Sequence, residues 1–288
     1  MNRPQYAKDF EERYIRAWPV MVQPKKDGGR CMVDVNVAGW AKPRNKKPLV
    51  QHKDHIQAKL QKALSPAAME QIGTLDGELY SDALHFEDIC SGIKATNTEY
   101  HKKLEYHIFD TMNQDKPFKD RYAHLSWWYG RLCVLNPGFD QFIKLVPCTI
   151  AHNMKELTAL MDKWSATDEG VIVRDPNEHY VFDHRTRGCM RWKYMKDAEY
   201  PVWDIREGVG KNVGIPTFYC FDPKLGGAHD KYAQFKAASM GEESHRRMLW
   251  RERDNIIMTK EVTVVFQNLT KRGVPRFGSV KVVRDYEE

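Results

Sequence analysis

The chain has 288 residues, 42% of them hydrophobic and 29% charged, a balance that suits a soluble globular protein with room for two cored domains. No run approaches the ~18 apolar residues a membrane-spanning helix needs, and the N-terminus MNRPQYAKDFEERYIRAW is charged where a secretory signal would be apolar, so a cytoplasmic protein is expected. A net charge of +6 permits nucleic-acid or phosphate partners without demonstrating either, and six cysteines with no Cys-x-x-Cys pair point to neither a zinc site nor a disulfide framework.

The first predicted elements are two β-strands over residues 20–23 and 31–37, joined as a hairpin around KKDGGR. Asp-Gly between apolar runs marks a hairpin turn. Three cations and an acid are more than such a turn requires. The order Lys-x-Asp-Gly-x-Arg, filled by Lys25, Asp27, Gly28 and Arg30, places an amine beside a turn whose backbone N–H groups can cradle a phosphate. Four fixed positions would arise by chance in a chain of this length on the order of a few times in a thousand.

Next, HKDHIQAKLQKAL carries Ile56, Leu60 and Leu64 on one helical face and stops at Ser65-Pro66. TLDGELYSD and LEYHIFDTM read as strands with an acidic end, separated by a helical pattern over 86–95. DRYAHLSWWYGRLCVL and NMKELTALMDKW read as amphipathic helices, and FIKLVP and EGVIVRD as the strands that follow them. This mixture predicts an α+β domain built on antiparallel sheets. From about residue 200 the texture changes to short strands, YPVWDIRE, TFYCFDP, EVTVVFQN and SVKVVRD, with a charged helical insert over 231–253. Such a tail suits a small β-barrel of the OB type. The boundary is placed near Asp197, giving domains 1–197 and 198–288.

Each acidic strand end, taken alone, is ordinary structure. Together they supply an amine, two carboxylates (Glu78 and Glu169), an aromatic (Phe109) and a late basic run, MRWKYMKDAE, which is what nucleotidyl transfer needs. In this order KKDGGR, PRN (43–45), LDGELY, HIFD, DEGVIVRD, RWKYMKDAE and PRFGSVKVVRD resemble the motifs of the covalent nucleotidyltransferase superfamily. Within it they are most similar to the compact ATP-dependent DNA ligases of bacteriophages and viruses.

That resemblance implies an ATP-grasp-like nucleotidyltransferase domain with antiparallel sheets, followed by a small all-β OB-fold domain. It implies a monomer in the cytoplasm, or the host cytoplasm if viral, that acts on nicked double-stranded DNA and no membrane. Lys25 would attack the α-phosphorus of ATP, and Lys193 would be catalytic as well as nucleotide-binding. Gln23, Arg30, Arg44, Glu78, Phe109 and Arg191 would complete the nucleotide site, with Phe109 on adenine and Arg30 and Arg44 on ribose or phosphate oxygens. Glu78 and Glu169 would stand near Mg²⁺ or Mn²⁺. Arg276, Arg284 and Asp285 are carried over as pyrophosphate-orienting or DNA-contacting. The register selects Lys25 over Lys26, because Lys25 stands two residues before Asp27-Gly28.

Two positions depart from the family pattern: Arg191 stands at the first lysine of the usual Lys-x-Lys, and the ending RDYEE lacks a final lysine. Chemistry adds a requirement. A lysine with a pKa near 10.4 is neutral in about one of a few thousand molecules at pH 7. Lys25 therefore needs desolvation, neighbouring cations such as Lys26, Arg30 or Lys193, or a bound metal. RNA ligases and mRNA-capping guanylyltransferases share the lysine motif and are the rival enzymes; a nucleic-acid-binding protein without catalysis is a rival of another class. DEGVIVRD followed by DAE, and the ending PRFGSVKVVRD, favour DNA ligase. The chain begins two dozen residues before Lys25, so the helical DNA-binding domain of larger ligases is not expected. The core, with the 231–253 insert as a candidate element, would then grip the nick.

Overall fold

The computed structural model describes residues 3–33, 41–43, 54–64, 71–94, 99–257 and 260–284; Arg44, Asp285 and the strand expected over 34–37 lie outside them. Two units divide the chain, Met1–Lys193 and Tyr194–Glu288. In the first, the strands are β1 (Tyr6–Asp9), β2 (Val20–Pro24), β3 (Gly29–Val33), β4 (Ala41–Pro43), β5 (Leu75–Tyr80), β6 (Glu105–Thr111), β7 (Ile143–Leu145), β8 (Thr149–Ala151), β9 (Val171–Arg174) and β10 (Arg185–Trp192). They form two five-stranded sheets in the orders β1-β10-β9-β2-β8 and β4-β3-β5-β6-β7. The expected antiparallel pairing is broken at two edges, where β1 runs parallel to β10 and β7 parallel to β6.

The predicted hairpin around KKDGGR does not form. β2 pairs with β8 and β9 in the first sheet, while β3 pairs with β4 and β5 in the second. The physical reason is that each strand buries its apolar residues in a different core. Val20 and Val22 pack with Leu157 and Met161 of the helix Met154–Ser165. Cys31 and Val33 pack with Leu60, Leu79 and Ile108. KKDGGR is therefore the crossover from one sheet to the other. The helix Asp54–Ala63 and the residue after it bury the expected face, with Ile56, Leu60 and Leu64 at 4%, 0% and 4% exposure. The helix Met154–Ser165 starts where a side chain caps it: Asn153 Oδ1 accepts from Glu156 N at 3.0 Å, and Glu156 reaches back to His152 N at 2.8 Å.

Two fully buried carboxylates join the sheets. Asp110 on β6 accepts two hydrogen bonds from Arg121 of the helix Phe118–Leu135, at 2.8 and 2.9 Å, and pairs with Arg174 of β9 at 3.4 Å. Asp76 on β5 accepts two from Arg30 of β3, at 2.9 and 2.6 Å, and one from Tyr180 at 2.6 Å. Arg30 also donates to the Gln5 carbonyl just before β1, at 2.7 Å.

The second unit is a closed barrel of β11 (Lys196–Glu207), β12 (Pro216–Phe221), β13 (Gln234–Ser239), β14 (Glu261–Phe266) and β15 (Ser279–Arg284), ordered β11-β12-β13-β15-β14. This is the small five-stranded barrel expected from the tail. The boundary differs from that expected, because Lys196 and Asp197 pair with Phe266 and Val265 and so belong to the barrel ladder. The insert over 231–253 also differs. Its first part is strand β13, where buried Phe235 and Ala237 alternate with exposed Lys236 and Ala238, a period of two. Its last part is the helix Glu243–Arg251, whose Leu249 packs into the barrel core with Phe218, Val262 and Val264. Among the described residues no helix is long and apolar enough to cross a membrane.

Asp110→Ala would leave Arg121 and Arg174 buried without their carboxylate, and should destabilise the first unit by ~3–5 kcal/mol in urea unfolding. Removing the surface partner Arg247, paired with Glu243 along one helix turn, should change stability by less than ~1 kcal/mol.

Candidate active site

The crossover is fixed on both sides by backbone. Lys25 N donates to Gly170 O at 2.8 Å and Glu169 N donates to Lys25 O at 2.9 Å. These bonds extend the β2–β9 ladder beyond the Pro24–Val171 pair. Two glycines allow the approach. Gly170 has φ +142°, where a Cβ would lie 2.2 Å from the Trp192 carbonyl oxygen, and a Cβ at Gly28 would lie 2.2 Å from the Leu79 carbonyl oxygen. Asp-Gly in the motif thus serves a close pass over β5 rather than a hairpin.

The ladder brings Lys25 and Glu169 side by side. Lys25 Nζ and Lys193 Nζ pair with different oxygens of the Glu169 carboxylate, which is buried. Lys26 pairs separately with Asp168 at 2.7 Å. Burial pushes the Lys25 amine below its ordinary value; the carboxylates of Glu78 and Asp27 oppose this, and the guanidinium groups of Arg191 and Arg30 add to it. Desolvation is the main device, as the chemistry requires. Glu78, directly opposite Arg30 in the β3–β5 pairing, has its carboxyl pushed up to about 7 by burial, against the pull of Lys25 and Arg30.

Phe109 owes its direction to a β-bulge. Asp76 pairs with Asp110 and Gly77 with Ile108, so Phe109 is the extra residue on β6, and it lines the cleft while Ile108 stays in the core. Gln23 holds the bulge in place, donating from Nε2 to the Phe109 carbonyl at 3.0 Å. The Arg30 guanidinium lies 5.4 Å from the Phe109 ring centre. Three of its five N–H groups are engaged by Asp76 and Gln5, leaving two for a ligand. Arg191 is anchored by Asp9 of β1 at 2.6 Å.

Gln23, Lys25, Arg30, Glu78, Phe109 and Arg191 together line a cleft of about 800 Å³, large enough for a nucleotide. Lys193 reaches the site through Glu169. The structure adds Arg3, Arg174 and Arg185 to the lining, which sequence reasoning missed. The signal for Arg185 was present, since it stands an even number of residues from Arg191 on the same strand. Arg276 and Arg284 belong to the barrel unit. Arg284 is tied to Glu199 and Thr263, each at 2.8 Å, and Arg276 lies over the exposed ring of Phe277.

Among the described residues no group of three or more His, Cys, Asp or Glu side chains gathers as a metal cage. Glu169 and Glu78, both interacting with Lys25, are two oxygen donors. That donor set fits a Mg²⁺ or Mn²⁺ ion that arrives with phosphate oxygens and keeps several waters.

A lysine amine desolvated by burial stands against a buried carboxylate beside an arginine-rich cleft. The family follows from likeness to known proteins. Residues 4–193 match the family described as the ATP dependent DNA ligase domain, and the chain belongs to that family.

A DNA ligase of Haemophilus influenzae is 26% identical over 137 residues, covering 48% of this chain and 49% of that protein, so the match spans about half the length of the curated relative. A solved structure of a Lig E DNA ligase aligns over 99% of this chain and 100% of its own, with TM-score 0.75 and 23% identity. A Chlorella virus DNA ligase-adenylate aligns over 100% and 99%, with TM-score 0.54 and 21% identity. Both structures share the α+β domain followed by a five-stranded β domain.

The raised Glu78 carboxyl carries a pH dependence. Between its ordinary 4.5 and about 7 the folded protein holds a proton that the unfolded chain has lost, so this contribution to stability is full below 4.5 and disappears as pH rises through 7. Glu78→Gln should therefore gain stability relative to the parent protein across that interval in metal-free thermal melts. A difference that stays constant with pH would show that Glu78 ionises without cost.

Proposed function

We propose that this protein seals nicks in duplex DNA at the expense of ATP, as a compact monomeric ligase. The observation that carries the reading is the Lys25–Glu169–Lys193 arrangement, built on the backbone pairing of two strand ends. First, the neutral Lys25 amine forms an N–P bond to the α-phosphorus while the bond to the bridging oxygen breaks and pyrophosphate leaves. AMP then passes from Lys25 to the 5′-phosphate of the nick. Finally the 3′-hydroxyl attacks that phosphate, the strand closes and AMP is released.

Each side chain has a task in this scheme. Glu169 must release Lys25 for attack, and Lys193, on its other oxygen, is placed to follow the charge that develops on the α-phosphate. Phe109 stacks on the base. Arg30 offers its two remaining N–H groups to ribose or phosphate oxygens. Glu78 and Glu169 would hold a Mg²⁺ or Mn²⁺ ion, which supplies charge neutralisation at the phosphate oxygens. The motif wording supports the bacteriophage or virus type of ligase.

The barrel unit supports the DNA grip. It carries a second cavity of about 600 Å³, lined by Trp203, Arg206, Tyr219, Lys236, Arg276 and Phe277 among others. Arg206 lies 4.5 Å and Lys236 5.0 Å from the Tyr219 ring centre. Cations interleaved with aromatic rings are the usual means of holding a phosphate backbone and its bases. The DNA ligase relatives, one of them described as binding DNA with a minimal scaffold, point the same way.

Incubation with α-labelled ATP and Mg²⁺ tests the reading. ATP should label the protein, Lys25→Ala should abolish the label, and Glu169→Gln should slow labelling by on the order of 10²-fold. Labelling by GTP alone would move the protein to the capping class. For the barrel, Lys236→Ala should weaken binding to nicked DNA and flatten its salt dependence by a slope of about 1. An unchanged slope would remove Lys236 from the DNA contact.

A further inference from the structure

Two lysines stand side by side at the crossover and both line the cleft. The structure separates them by their partners. Lys25 meets Glu169, while Lys26 meets the preceding residue, Asp168, at 2.7 Å. The second pair is the less accessible at its acidic end: the Asp168 side chain is 4% exposed and the Lys26 side chain 16%. Lys26 Nζ also lies 5.0 Å from the ring centre of Tyr80, and Thr167 Oγ1 donates to Asp168 Oδ2 at 2.9 Å.

We propose that Lys26 and Asp168 are a positioning pair that holds Lys25, and not Lys26, towards the α-phosphate of ATP; this rests on Lys25 being the nucleophile. The argument is mechanical. Two backbone hydrogen bonds tie residue 25 to residues 169 and 170, and two nearby points define an axis about which the crossover peptide can still turn. The Lys26–Asp168 pair adds a third point, beyond the nucleophile on the side leading to the second sheet. Three points fix an orientation. The two lysines take different carboxylates, so anchoring Lys26 at Asp168 leaves Glu169 to Lys25. Loss of either partner leaves a charge with little solvent access and without its counter-ion, and loss of Asp168 also leaves the Lys26 amine free to compete for the cleft. Neither residue touches the reacting atoms. A shift of ~1 Å in the nucleophile is enough to cost up to ~10²-fold in rate.

The test measures first-step labelling against ATP concentration in the full chain, with thermal midpoints recorded for every variant. Asp168→Asn and Lys26→Gln should each lower the maximal rate by about tenfold or more while leaving half-saturating ATP within about twofold. Lys26→Arg should retain most of the rate, and the reversed pair, Lys26→Asp with Asp168→Lys, should recover to within about threefold of the parent. Peptide mapping of Asp168→Asn should find part of the AMP on Lys26. Single variants that label Lys25 alone at the parent rate, or a loss that the reversed pair does not repair, would overturn the positioning role. If the single variants do not fold, Lys26→Arg and the reversed pair decide by the same criterion. An unmodified protein that takes no label from ATP would instead overturn the nucleotidyl-transfer reading itself.

Discussion

Two aspartates with no solvent exposure, Asp76 and Asp110, stand directly opposite one another on adjacent strands. Like charges in that relation repel, and each is also costly to bury. The arrangement survives because Arg30, Arg121, Arg174 and Tyr180 converge on the pair from β3, a helix, β9 and the loop after β9. Those partners come from both sheets and from the helix beside them. The relation of the sheets is thereby set by directional, charge-assisted hydrogen bonds rather than by apolar contact, which slides more easily. The proposed nucleotide cleft opens on this network, sharing Arg30 and Arg174 with it.

The crossover at residues 25–28 follows from the same constraint. Once the sheets are fixed, the chain must pass from Pro24 to Gly29 over a short distance, and the glycines at 28 and 170 make the passage sterically possible. Lys25, the proposed nucleophile, thus sits where two backbone hydrogen bonds hold the chain. Rigid placement of a nucleophile is itself a large part of catalysis, and for Lys25 in the proposed reaction it would come from topology before any side chain contributes.

The lysine motif, the acidic strand ends and Lys193 were legible as local patterns, and the structure brings Lys25, Glu169 and Lys193 into contact. The helix carrying Ile56 and Leu60 was legible from its period. Strand partners were not. Alternation in residues 20–23 and 31–37 specifies extended chain with one buried face, but says nothing of which strand lies beside it, and the hairpin reading failed there. The same limit hid β13, where a charged surface face around Lys236 masked the alternation of Phe235 and Ala237. The boundary was misplaced by a few residues because Lys196 and Asp197 carry no apolar signal, and join the barrel through backbone bonds alone. Arg174 was within reach as part of EGVIVRD, yet its burial against Asp110 depends on a contact between distant segments.

Lys25 and Lys193 share one buried carboxylate, each on a different oxygen of Glu169. In the proposed reaction that carboxylate would be a placeholder for the phosphate oxygens that meet Lys25 and Lys193. Arrival of a triphosphate at the proposed site would then be a partner exchange, in which one set of anionic oxygens replaces another around lysines already largely shielded from water. The desolvation cost of bringing those lysines together would then be met during folding rather than each time a ligand enters.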